Sequence, residues 1–423
     1  MESIQLHRQQ LSGQLLHWEL AIDRLSELDE IASPEGWSRL ERETGAVLRS
    51  SISKSIRELK QEAANVRRTI DKKPLAEVTR GIHNVRRDYL RTETMLDFFA
   101  DAINSRSSEG TGRLLRGLDR IATDGMKQVL EPLGHSPPPV ITYIDKGLGA
   151  SILKAGLRLW DRRSINPAAS VKVVRHNVLT ATSILHEIGH QCGFQTAWND
   201  ELRTALRSGL PRALGKIWSS WSSEIAADAI AFVFAGHASL AALRNVVDGG
   251  RSRVFRFIPG DPHPIGMVRV LMVSAFCKQT MGKDKRSGFY APDKQPWLML
   301  EQSWREKYPL NGAGRMVGKV IHYSIPLLPN IADIVLKQEY KALGGKALTQ
   351  LIDPRHVSPA ALTRFEHEAG PRAFELPYIV KSDPIRLLAL SGLRIATNPD
   401  KGREYYLKQH RALQVLGEQQ LAA

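Results

Sequence analysis

The apolar positions near the start of the chain fall on one helical stripe: Leu11, Leu15, Trp18, Ile22 and Leu25, in steps of 4, 3, 4 and 3. This is a heptad seam, the mark of a helix that buries one narrow face. Ser33-Pro34-Glu35-Gly36 follows. A serine N-cap before a proline at the first helical position predicts a new helix there. A second seam runs through Leu48, Ile52, Ile56, Leu59, Ala63, Val66 and Ile70. Two such helices predict an antiparallel, coiled-coil-like hairpin over residues 1–74. Its seams would pack on the rest of the chain, on a helical partner or on a second copy.

Lys73-Pro74 ends the pattern, and residues 75–135 read as a further helical region. One amphipathic helix carries Met95, Phe98, Phe99 and Ile103, and another Leu114, Leu115, Leu118 and Ile121, with a turn between Ser105 and Gly112. A glycine and proline cluster at 134–139 closes this region. The texture then changes. Val140–Ile144 is a β-branched run and Ser170–Val174 alternates, so both predict strands, with a short helix between them at Gly147–Leu159. After Thr180 helical periodicity returns. Residues 276–423 read as mostly helical, punctuated by proline and glycine near 288–296, 308–314 and 352–359. The expected fold is mainly α with a small β-sheet, an α+β arrangement.

The most apolar stretch, Ile225–Leu243, approaches bilayer length but contains Asp228 and His237, so it predicts a buried helix rather than a membrane span. A chain of 423 residues with 42% hydrophobic and 24% charged side chains should form two or three packed units. Two cysteines, Cys192 and Cys277, exclude a disulfide framework, and the N-terminus has no signal-peptide pattern, which together predict a cytoplasmic protein. The net charge of +15 is uneven. Residues 1–135 hold 21 basic and 21 acidic side chains, whereas 136–423 hold 38 and 23. A basic half suits an acidic partner or substrate. No basic run interleaved with aromatics marks a nucleic-acid surface.

The candidate chemistry lies in His186-Glu187-Ile188-Gly189-His190. Residues four apart on a helix share a face, so two imidazoles can reach one metal ion, with Glu187 beside a bound water. The flanks Ser183, Ile184, Leu185 and Ile188 make a stripe that packs. Gly189 costs helix stability, roughly 1 kcal/mol relative to alanine, and so predicts a close approach by another element. A catalytic zinc usually has three protein ligands. Thr196 stands where a third histidine of the H-x-x-G-x-x-H type would be. Glu224 and Asp228, four apart on an apolar helix, are the better source. Glu224 would be the ligand, and Asp228 would accept a hydrogen bond from the far nitrogen of a ligating histidine. Asp200 and Glu201 are the reserve.

H-E-x-x-H followed by E-x-x-x-D resembles the gluzincin metallopeptidases, over roughly residues 140–270. The resemblance implies a zincin-like catalytic core, placed here at 136–275. It implies Zn2+ held by His186, His190 and Glu224, Glu187 as catalytic base, Asp228 supporting the ligands, and a polypeptide substrate. It also implies that Ser170–Val174 is an edge strand that pairs with extended substrate. Gly260-Asp261-Pro262-His263-Pro264, with Arg269 beyond, is similar to the His-Pro…Arg segment of membrane-associated prenyl-protein and heat-shock peptidases of that clan. It implies that His263 stabilises a developing oxyanion and that Arg269 ties Glu224 or Asp228. The same metal chemistry would serve another amide or ester, and a metal-stapled scaffold for a protein partner is the non-catalytic alternative. Tyr290 and Tyr323 are weaker oxyanion candidates. Gly314–Lys319 lacks two positions of a phosphate loop.

Overall fold

In a computed structural model of the chain, which describes residues 2–147, 149–160, 164–282 and 295–418, the two seams become helices α1 (Glu2–Arg24) and α4 (Arg42–Thr69). Between them lie the short α2 (Leu28–Ile31) and α3 (Pro34–Ser38). Ser33 caps α3 by accepting from the Gly36 N–H, with Pro34 at the first helical position, as its sequence predicts. Helix α5 (Leu75–Asn104) packs against both α1 and α4. Leu15, Ile22, Leu48, Ile52, Ile56 and Leu59 meet Val78, Ile82, Val85, Met95 and Phe99 in one apolar core. The seams are thus covered by a third helix of the same chain. Helix α6 (Glu109–Leu130) follows.

The chain divides into two compact units. The first comprises Met1–Arg116, Pro138–Ile144 and Leu153–Ser170. The second comprises Gly117–Pro137, Asp145–Ile152 and Val171–Ala423. Strands β1 (Val140–Ile144), β2 (Ser151–Leu153) and β3 (Ala169–Val173) form a sheet in the order β1-β3-β2. Mostly helical structure with one small sheet is therefore the observed class.

Two expectations fail here. The stretch Gly147–Leu159 contains β2 rather than a helix. Gly147 and Gly156 adopt left-handed φ of 138° and 86°, which no α-helix accommodates. The chain instead turns back through an antiparallel bridge between Arg158 and Ile165, and the Asn166 amide donates to the carbonyls of Leu153 and Lys154. As a result β3 is the middle strand. With β1 on one side and β2 on the other, Ser170–Val174 is not an edge that an extended peptide could join.

In the second unit the helices are shorter and more deeply buried. They are α7 (Ser183–Gln195), α8 (Trp198–Gly209), α9 (Arg212–Ser220), α10 (Ser222–Ala235), α11 (His237–Val247), α12 (Arg251–Val254) and α13 (Gly266–Thr280). The apolar stretch at 225–243 is split at Gly236, whose φ of 55° ends α10. No helix among the described residues is long and apolar enough to cross a membrane. Six longer helices follow between Pro296 and Leu416. Those at Pro296–Lys307, Pro359–Ala369 and Pro384–Thr397 begin on proline, where a missing N–H costs nothing. The helix Pro384–Thr397 packs on α10 and α11, and Leu328–Lys337 on α10 and α13. They close the apolar side of α10 and leave its acidic end to α7 and α13.

Candidate metal centre

Helix α7 carries the H-E-x-x-H segment. Ile184, Leu185, Ile188 and Cys192 are buried, while His186 and His190 retain partial exposure on another face. Helix α10 is its main packing partner. A Cβ on Gly189 would lie 2.7 Å from the Ala227 Cα and 2.9 Å from the Ala227 carbonyl oxygen. Only glycine lets the two backbones come this close, which is the close approach its presence in α7 predicts. That approach sets the imidazoles over the first turns of α10.

There the two helices supply one cluster. His186 Nε2 lies 3.5 Å from Glu224 Oε2, and His190 Nε2 lies 3.3 Å from Glu224 Oε1. Ligand atoms of His186, His190 and Glu224 all fall within 4.8 Å of one another. Zinc–nitrogen and zinc–oxygen bonds of about 2.0–2.1 Å in a tetrahedron place neighbouring ligand atoms about 3.3 Å apart. The two histidine–glutamate separations, each to its own Glu224 oxygen, are close to that edge, and two imidazoles with one carboxylate are a zinc donor set. These three residues could hold the ion.

The surroundings orient the donors. His186 Nδ1 lies 2.9 Å from Asp228 Oδ1, which leaves the Nε2 lone pair turned towards Glu224. Ser223 Oγ is 3.3 Å from His190 Nδ1. Arg269, from the first turn of α13, donates through Nε to Asp228 Oδ2 at 2.7 Å. Its Nη2 donates to Glu224 Oε2 at 2.8 Å and to Asp228 Oδ1 at 2.9 Å. One guanidinium thus ties both carboxylates.

His263 comes in from the loop before α13. Its Nε2 is 3.6 Å from Glu224 Oε1, and its Nδ1 is 2.7 Å from Asp261 Oδ1, which also accepts from the His263 backbone N–H. Asp261 is a member of the site that reading the motif missed. Its signal is the Asp-x-His spacing, since a short acceptor two residues ahead can bond both backbone and ring of the histidine.

The electrostatics follow from burial. Burial alone would raise Glu224 and Asp228, but the Arg269 charge and the His186 hydrogen bond hold both well below the usual carboxylate range. Burial would lower His186, but hydrogen bonds to Asp228 and Glu224 outweigh it and push its pKa up to about 10. A site that draws a proton to this ring favours cationic charge, and a metal ion can supply it. Glu187, 6% exposed, has no hydrogen-bond or ion-pair partner among the described residues. Burial pushes its pKa up to about 7, against the lowering charge of His186. A carboxylate poised there can take and return a proton near neutrality.

The reserve ligands lie elsewhere. Asp200 pairs with Arg203 at 3.0 Å, and Glu201 accepts from the Ala342 N–H at 3.1 Å. Cys192 and Cys277 are buried thiols whose pKa burial raises. Tyr323 is 61% exposed beside His322. Tyr290 lies outside the described residues. Compared with family models, with curated proteins and with solved structures, the chain matches none.

Proposed function

We propose that this protein is a zinc-dependent hydrolase of the gluzincin type, acting as a peptidase. The observation that carries the reading is the gathering of the three donors, His186, His190 and Glu224, within 4.8 Å of one another, with the unpaired carboxylate of Glu187 on the same helix. When bound, zinc supplies a Lewis acid for the scissile carbonyl and lowers the pKa of water in its shell. The protein's own groups do the rest. Glu187 takes a proton from the attacking water and returns it to the leaving amine. Asp228 and Arg269 hold His186 and Glu224 in place. His263, fixed on Asp261, presents Nε2 to charge that develops on the carbonyl oxygen.

The test is elemental analysis of wild type, His190→Ala and Glu224→Ala, followed by turnover of a peptide library. The expected result is one zinc per chain in wild type and loss in both variants. Glu187→Gln should keep the zinc and lose roughly 100- to 10,000-fold in turnover. Folded wild type without zinc overturns the proposal. Stoichiometric zinc with turnover of small esters or amides, but no peptide, moves it to another hydrolase. Zinc with no turnover of any substrate leaves a metal-stabilised scaffold.

A further inference from the structure

Helix α1 carries a second apolar stripe, on the face turned away from the seam that α5 covers. Leu6, Gln9, Gly13, Leu16 and Leu20 follow in steps of 3, 4, 3 and 4, again a heptad pattern. Its three leucines lie about 160° round the helix from Leu11, Leu15 and Ile22. Leu6, Leu16 and Leu20 are 57%, 50% and 58% exposed. Single exposed leucines are ordinary, whereas three on one stripe mark a contact surface. The neighbouring helices differ: among the described residues α4 exposes no large apolar side chain and α5 only Leu90. Gly13 is the middle residue of α1. A glycine there costs about 1 kcal/mol of helix stability relative to alanine. Gly189 owes its place to the Ala227 backbone, but a Cβ on Gly13 would meet nothing within 4 Å among the described residues. The close approach that Gly13 allows is therefore open to a molecule outside the chain.

We infer that this stripe is a homodimer interface, in which α1 packs antiparallel on α1 of a second copy and crosses it at Gly13. The charges select that occupant and that direction. About a two-fold axis through Gly13, Leu6 faces the second copy's Leu20, Glu2 faces its Arg24 and Asp23 faces its Ser3. Leu16 packs over the second copy's Gly13. A parallel pair would set Glu2 against Glu2 and Asp23 against Asp23, which repel. Arg24 also meets Glu30 at 3.4 Å in an exposed pair, and its guanidinium has further N–H groups for a second carboxylate. Residues 1–135 hold 21 basic and 21 acidic side chains, so two copies of this region meet without net repulsion. One helix pair is a small interface, so the dimer forms at micromolar concentration.

Sedimentation velocity of the full chain across the micromolar range tests this. The expected result is a monomer–dimer equilibrium. L16E/L20E should weaken it by at least about 100-fold, because carboxylates of both copies then meet in one seam. L407E, at an exposed leucine of the helix Gly402–Leu416, should leave it unchanged. All three leucines are exposed, so circular dichroism should show wild-type folding in both variants. Direction is read by cross-linking. Differently tagged L6C and L20C proteins, mixed and oxidised, should join to each other and not to themselves, since a disulfide needs Cα atoms within about 7 Å. Cys192 and Cys277 are buried and do not compete. A monomer at every concentration gives the stripe to a different partner and overturns the inference. So does a dimer that L16E/L20E leaves intact, or one that L407E weakens equally. L6C joined to itself without the mixed product overturns the antiparallel pairing. None of these readouts depends on zinc or turnover, so this inference and the metal-centre reading fail separately.

Discussion

Two buried arginines, one in each unit, show how differently the halves of this molecule use polarity. Arg106, in the first unit, is fully buried and donates through Nη2 to the Thr142 carbonyl at 2.6 Å. Arg269, in the second, donates to two buried carboxylates. The helices around them differ in the same way. Helix α4 has 28 residues but buries only seven, along one stripe. Helix α10 has 14 residues and buries 13, including Glu224 and Asp228. A one-faced helix keeps its charges in water, where they cost little. An all-round buried helix that still carries two acids needs a compensating cation. In the second unit Arg269 and its two buried acids neutralise one another, and that arrangement makes a site.

Removing the cation breaks the comparison hardest. Arg269→Met leaves Glu224 and Asp228 buried without their counter-ion and should cost about 3–5 kcal/mol. Arg67→Met removes the ion pair with Glu19 in the first unit, where the two side chains are 33% and 27% exposed, and should cost about 1 kcal/mol or less. Urea unfolding of the two variants measures both, and equal losses would erase the distinction.

Acid gives the next largest effect. His237, at the start of α11, is buried with no hydrogen-bond partner on Nδ1, and burial lowers its pKa to about 4. The unfolded chain takes up a proton near pH 6.5, whereas the folded one resists until about pH 4. Stability is therefore full above pH 6.5 and falls as the pH drops towards 4, by roughly 3 kcal/mol. His237→Leu should flatten the denaturation midpoint over that window. Glu224 and Asp228, whose pKa values are lowered, extend the loss to more acidic pH.

Backbone approach gives the smaller effects. Gly189→Val inserts a branched side chain against the Ala227 backbone and should cost about 1–3 kcal/mol while lowering zinc content. Gly13→Ala, in α1, meets nothing within 4 Å and should stabilise by up to about 1 kcal/mol. Thermal unfolding with elemental analysis reads both. A zinc-replete, undestabilised Gly189→Val would show that α7 and α10 do not depend on that contact for the site.

Much of this was legible before any coordinates. The seams of α1 and α4, the Ser33 cap and the helices of 75–130 follow from periodicity and capping, which are local. The partner of those seams was less clear, because α5 carries its own apolar stripe and periodicity does not say which stripes meet. The strand at β2 was hidden because a short apolar run reads equally as helix or strand, and the left-handed glycines decide it. The mistaken edge at Ser170–Val174 came from the resemblance to the gluzincins, and the order β1-β3-β2 overturns it, since a strand's neighbours are set by what folds beside it.

For the cluster, the chain alone determined the donor types and their helical register. Residues four apart lie on one helix face whatever surrounds them. It also showed that Gly189 needs a close neighbour. The tertiary structure decided which neighbour, that one guanidinium spans Glu224 and Asp228, and that Asp261 holds His263. It also left Glu187 without a bonded partner among the described residues. The reason is range. Helical register is written in bonds a few residues long, whereas the contacts of Gly189 with Ala227 and of Arg269 with Glu224 and Asp228 join residues about 40 positions apart and exist only once the helices have packed.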